Sequence, residues 1–226
     1  MPMKDTTGRV VFVLAVTLGL PAALAAQACV GSPAPPSGVA IYGAGGYFSY
    51  DLNQTIKGPQ YGAGLALGLP GPVSFDFNGL LLQPQSGANV YVGNGKAFIN
   101  VHVPAFASFC VTAGVGVSHL SDSNSQTSNT TFAVPLGLRL GPSLNLGVAR
   151  LDPFVEPYVL FAQTTGTVFD IQTSASAVGG GADAGIMLHA GPILAGVTLR
   201  LTKISEDVGP HPYADRAVLV RLGLAF

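Results

Sequence analysis

The sequence has no tryptophan, only two cysteines and few charges: Asp, Glu, Lys and Arg together make up 9% of 226 residues. Soluble domains usually carry roughly 25% charged residues, so an ordinary charged, water-facing surface is excluded over much of the chain. The net charge of −1 supplies no overall field to attract nucleic acid or an anionic membrane surface. After residue 30 no apolar run reaches the about 18 residues that a membrane-spanning helix needs. A helical membrane protein is thereby excluded as well. No phosphate loop or cluster of metal ligands can be read, so neither a metal nor a cofactor is expected.

What is present is apolar residues, dispersed. Hydrophobic types make up 48% of the chain and the mean hydropathy is +0.47. They are arranged by alternation. Over residues 216–226, Val218, Val220, Leu222, Leu224 and Phe226 take every second position, with Ala217, Leu219, Arg221, Gly223 and Ala225 between them. Successive strand side chains point to opposite faces, so this is a strand with one apolar face and one small or polar face. Its closing Phe226 resembles the C-terminal strand of bacterial outer-membrane β-barrel proteins, in which a final Phe is an assembly signal read by the barrel-assembly machinery.

The same alternation marks further segments. They are 39–51, 61–69, 73–82, 96–103, 106–118, 131–140, 154–163, 182–190 and 193–203. With 216–226 this predicts ten strands, each near the length of about 9–11 residues that a tilted strand needs to cross a bilayer. Eight is the alternative, should the fourth strand or the hard stretch 141–153 be misread. Short Pro/Gly turns (70–72, 104–105, 191–192) alternate with longer polar loops (83–95, 121–130, 164–181, 205–215). That rhythm is expected of periplasmic turns and extracellular loops. Pro135 falls mid-strand, where it removes a ladder donor, and a local bulge or weak pairing is expected there.

In-strand charges orient the wall. Asp76, Lys96, Arg139, Glu156, Asp183, Arg200 and Arg221 all fall opposite the apolar row of their strand. A Lys or Arg facing lipid at mid-membrane costs about 2–4 kcal/mol, so the charged face is the lumen, where these residues should form an ion-paired network. His102 and His189 share that face. A secreted soluble β-sandwich would use the alternation the other way round, but should show many Lys and Glu on its wet face. Here that face is mostly Gly, Ala, Ser and Thr.

The N-terminus reads as an address. Lys4 and Arg9 precede an apolar core at 10–20, followed by small residues with cleavage sites after Ala25 or Ala28, the pattern of a signal peptide. Residues 1–28 are therefore assigned to a cleaved signal peptide, 29–37 to a Pro-rich periplasmic segment or partial plug, and 38–226 to the barrel. Export permits disulfides. Cys29 and Cys110 leave three outcomes open: lipidation of Cys29, two free thiols, or a disulfide. An extended segment after Cys29 can reach back up the bore, and Cys110 lies on an inward row, so a Cys29–Cys110 disulfide plugging the lumen is the expectation.

Taken together, signal peptide, alternating strands and terminal Phe resemble small outer-membrane β-barrel proteins of the OmpA/OmpX-like kind. The resemblance implies a closed antiparallel up-and-down transmembrane barrel, monomeric in the outer membrane. Both mature termini would be periplasmic, with lipid and lipopolysaccharide as surroundings. It implies a non-enzymatic role in structure, surface interaction or minor solute passage. One motif points elsewhere. His119 and Ser121 continue a lipid-facing row and resemble the His-x-Ser pair of outer-membrane lipid A 3-O-deacylases. A serine hydrolase also needs a carboxylate to orient its imidazole. That family draws a Glu from the following strand, and 131–140 contains none.

Overall fold

The structure, a computed structural model, describes residues 29–51, 55–85, 88–101, 108–122, 127–168, 171–205 and 211–226. Eleven strands are formed: β1 (Gly38–Asp51), β2 (Thr55–Gly68), β3 (Val73–Leu82), β4 (Val90–Val101), β5 (Ser108–Asp122), β6 (Thr127–Gly141), β7 (Leu144–Asn145), β8 (Ala149–Val168), β9 (Ile171–Ala190), β10 (Ile193–Ile204) and β11 (Arg216–Ala225). Ten of them build a wall in which each pairs antiparallel with its sequence neighbours, while β1 pairs with β11 and β6 with β8. The sheet closes on itself, and the ten-strand expectation holds. β7 is a two-residue stub on β8, with Leu144 opposite Leu151 and Asn145 opposite Arg150.

Closure explains how so apolar a chain has so few charges. A barrel has no edges to protect, and alternation divides each strand between bore and exterior. The outward rows are exposed and aliphatic: Leu222 is 65% and Leu201 62% accessible, beside Val218, Val220, Leu224, Val197 and Leu199. The inward rows hold Tyr42, Phe48, Tyr50, Phe98, Leu160, Met187 and Leu194, all fully buried. A soluble sandwich needs two sheets packed over an apolar core. This wall is one closed sheet with its apolar rows outside, so that alternative fails.

Small residues make room for the bore's aromatic rings. Gly64 lies opposite Tyr42 in the β1–β2 ladder, and a Cβ there would collide with the Tyr42 ring. The wall thus tolerates a tyrosine lying across it because the next strand offers no side chain.

Three expectations require correction. β4 begins at Val90, so only the first part of 83–95 is loop; Val90 and Val92 face inward and are buried. Segment 164–181 is strand, since β8 and β9 pair continuously from Ala149↔Ala190 to Val168↔Ile171. Its Thr, Ser and Gly residues carry no apolar rhythm; here the hairpin has run past the last rung of β10, Ile204↔Gly179, while β6 flanks it as far as Thr127↔Val168. Residues 149–153 likewise belong to β8, and the turn at 146–148 is tight, with Gly147 at φ 76°. At Pro135, where a local bulge or weak pairing was expected, the weak pairing is what forms. The β5–β6 ladder runs to Ala113↔Leu136 and resumes in the same register at Gly116↔Ala133. Pro135 still pairs opposite Leu160 of β8, so the missing donor weakens one side without shifting the strand. The signal-peptide segment 1–28, His102 and the turn at Pro104 lie outside the described residues.

Candidate functional site

The lumen is filled in three tiers. In the middle tier Glu156 of β8 accepts hydrogen bonds from Lys96 Nζ at 2.8 Å, from Thr112 Oγ1 at 2.8 Å and from Arg139 Nε at 2.7 Å. Arg139 lies between the rings of Phe98 and Phe154, 4.7 and 4.2 Å from their centroids. Asp183 of β9 is gripped in a fork by Arg200, at 2.8 and 2.7 Å, and lies 4.0 Å from Lys96. Lys96 therefore joins the two carboxylates, and five of the seven predicted charges form one network. Such pairing is what a desolvated charge requires, because a buried ion without its partner is strongly disfavoured.

Asp76 and Arg221 form a separate group. Tyr42 donates to Asp76 Oδ1 at 2.5 Å. The Arg221 guanidinium lies 5.8 Å from the Tyr42 ring centroid and donates to Thr198 Oγ1 at 2.9 Å. The expected Arg221–carboxylate partnership is replaced by one routed through Tyr42, whose long side chain reaches Asp76 first.

The second tier lies at the end of the barrel where β1 starts and β11 stops. Cys29 is disulfide-bonded to Cys110 with Cα atoms 6.0 Å apart, within the span a disulfide can bridge. Cys29, Val30, Ser32 and Ala34 are buried, and Arg139 Nη1 donates to the Gly31 carbonyl at 2.8 Å. Gly31 sits at φ 66°, a left-handed conformation that glycine adopts without penalty, and a Cβ there would strike the Phe154 ring. Beside this segment Asp152, 1% exposed, accepts from Ser143 Oγ at 2.5 Å and lies 3.0 Å from Arg150 Nε. His189 Nε2 is 3.8 Å from the same carboxylate. His189 lies in the lumen as expected, and Arg150 and Asp152, expected in a turn, lie there too. The signal was available: both continue the inward parity of Phe154 and Glu156.

The third tier closes the opposite end. Residues 211–214 of the last loop fold into the bore, and His211, Tyr213 and Ala214 are buried. Tyr50 donates to the His211 carbonyl at 2.5 Å and its ring meets the His211 ring edge-on at 5.2 Å. Tyr213 caps Arg200, whose guanidinium lies 4.8 Å from its centroid. Burial is the largest influence on the Tyr213 phenol and pushes its pKa up, so it remains a neutral packing group. The loop's polar composition concealed this; a Pro-Tyr-Ala run inside a polar loop was the clue.

His119 and Ser121 sit on the outer face of β5 near its end. His119 Nδ1 meets Thr130 Oγ1 at 2.9 Å, and Tyr91 lies opposite it on β4. A hydroxyl stands at this imidazole nitrogen where a hydrolase triad would put a carboxylate.

No protein-family model matches the chain, and no curated protein does. Among solved structures it is similar to the β domain of the Bordetella autotransporter BrkA, at 12% identity and a TM-score of 0.47 over 84% of this chain and 100% of that one. It is also similar to Ail, the attachment invasion locus protein of Yersinia pestis, at 11% identity and 0.40 over 84% and 97%. The translocator domain of autotransporter NalP from Neisseria meningitidis gives 10% and 0.42 over 87% and 90%. The likeness is one of barrel outline at low identity.

Proposed function

We propose that this protein is a monomeric, non-enzymatic barrel of the bacterial outer membrane. In this reading its bore is sealed and its working part is the sheet it raises beyond one rim. The observation that carries the reading is the division of the wall. Aliphatic rows face outward, and the seven in-strand charges named above face a bore that holds buried residues of the 29–34 segment at one end and of the 211–214 run at the other. That division matches hydrocarbon outside and a filled core within. Tyr47, Tyr61 and Tyr91 are exposed on the outer face toward the far rim, where an aromatic girdle would sit.

Orientation follows from the connections. The end opposite the disulfide carries the longest connection, 205–215 between β10 and β11, and the long β8–β9 hairpin, although β1–β2 and β8–β9 themselves turn there through 52–54 and 169–170. The disulfide end is assigned to the periplasm and the opposite end to the outside. At that outer end β9 continues past the last rung of β10, Ile204↔Gly179. Residues 172–176 are exposed there, which supports a surface-interaction role.

The test is heat-modifiable migration of the refolded protein in detergent, combined with planar-bilayer recording. A compact fast-migrating band and no large steady conductance are expected. A single band position with and without boiling would contradict the barrel reading, and a steady large pore would contradict the seal.

A further inference from the structure

Of the Lys and Arg side chains among the described residues, Lys96, Arg139, Arg150, Arg200 and Arg221 take inward positions. Lys57, Lys203 and Arg216 take outward ones and are exposed. These three are not scattered. The wall runs β10-β11-β1-β2, and the cations lie on β10, β11 and β2. Ser49 of β1 is the rung partner of Arg216 on one side and of Lys57 on the other. Arg216 in turn faces Leu201 of β10, two residues below Lys203.

Neighbouring strands lie about 4.8 Å apart and a strand rises about 3.3 Å per residue. Those spacings bring the three Cα atoms within about 10 Å of their nearest partner in the row. Long flexible side chains from all three can converge on one anionic group. The chain's net charge of −1 does not reveal this cluster, because Lys96, Arg139, Arg150 and Arg200 face carboxylates inside the bore.

Height on the wall selects the ligand. Directly below the cations on the same strands stand Leu201 and Leu199, Val218 and Val220, and on β1 the exposed Tyr47. A group held by the cations is therefore joined to something lying along an aliphatic wall. Among the described residues one acid shares the face: Asp51, 2.9 Å from Arg216, with both side chains largely exposed. An exposed pair of this kind is weak and yields readily to a phosphate, which Arg engages through its fork.

We infer that Lys57, Arg216 and Lys203 form a binding site for the phosphate groups of a phosphorylated glycolipid headgroup in the outer leaflet, its acyl chains lying against β10, β11, β1 and β2. The inference rests on the orientation proposed above. The barrel carries this site on one side, so its lipid shell is asymmetric.

The test uses the refolded full-length barrel in detergent, probed by native mass spectrometry with bisphosphorylated lipid A, phosphatidylglycerol or phosphatidylcholine. Lipid A should be retained preferentially, and retention should fall as salt rises. The triple variant Lys57→Gln, Lys203→Gln, Arg216→Gln should lose at least tenfold in retention. The charge-keeping triple Lys57→Arg, Lys203→Arg, Arg216→Lys should hold it, and Asp51→Asn should raise it. Equal retention by wild type and the neutral triple overturns the inference, as does a wild-type preference for phosphatidylglycerol or phosphatidylcholine. Either result would leave heat-modifiable migration unchanged. Failure of the barrel reading would abolish that migration in the wild type.

Discussion

Lys96 and Glu156 meet at 2.8 Å from strands β4 and β8, which share no ladder and are separated in the wall by β5 and β6. The bond is thus a strut across the bore. Arg139 reaches the same carboxylate, so one acid serves as ion-pair partner to two cations. Glu156→Gln leaves both in a buried site with a neutral partner. Removing one member of a buried pair costs about 3–5 kcal/mol. The gel-shift transition of the heated barrel should move to clearly lower temperature, and an unchanged transition would show the strut to be dispensable.

Arg200→Leu removes the fork on Asp183 and the cation beneath Tyr213. Lys96 remains 4.0 Å from Asp183, so the loss should be smaller than for Glu156→Gln. Insertion into liposomes should proceed, because no outward residue changes. Failure to insert would mean the network is needed for assembly and not only for stability.

Tyr50→Phe deletes the bond that fastens the His211 carbonyl within the bore. Leaving a buried acceptor without its donor costs about 1–3 kcal/mol. The cost falls on the last loop alone. Limited proteolysis of the folded barrel should cut the 205–215 loop faster, while the unfolding temperature changes little. Equal cutting rates would show that ring packing alone holds the loop.

His119→Ala and Ser121→Ala should leave lipid A unchanged on incubation, as should the wild type. The partner at His119 Nδ1 is the Thr130 hydroxyl, which carries no charge to stabilise an imidazolium. Release of a 3-O-linked acyl chain by wild type, and its loss in either variant, would establish the hydrolase instead.

Alternation made the wall legible. Wherever one face looked outward and the other into the bore, as at Tyr61, Leu65 and Leu69 against Gly62, Gly64 and Ala66, the period of two was visible in the sequence. It faded where those environments ended. Thr164, Thr165, Ser174 and Ser176 of the β8–β9 hairpin extend past the last rung of β10 and gain nothing from an apolar face, so their composition imitates a loop. Arg150 and Asp152 were masked by the prolines around them, Pro142 and Pro153, although each obeys the parity of β8. The buried 211–214 run could not be read from periodicity at all, since an inserted loop has none. Pairing was legible in kind but not in detail: Arg139 and Arg200 found carboxylates, whereas Tyr42 came between Arg221 and Asp76.

Titration of the unreduced, denatured protein should find no free thiol, given the Cys29–Cys110 bond. One or two reactive thiols would contradict it. Cys110→Ser should lower stability by about 2–5 kcal/mol, the usual range for losing a native disulfide.

That disulfide also dates itself. Cys29 is 1% and Cys110 0% exposed, with Phe98 packed against both and Arg139 fastened over the neighbouring carbonyl. Thiol–disulfide exchange requires a thiolate to reach a sulfur, and no oxidoreductase can bring one inside the finished wall. The oxidation must come while β1 and β11 are still apart. The bond then ties a closed ring of chain, 81 residues in sequence separation, that already holds β1 to β4 together. Assembly would therefore begin from a covalently ringed first half onto which the second half is folded, and the last seam to be sewn is that between Val39 and Phe226.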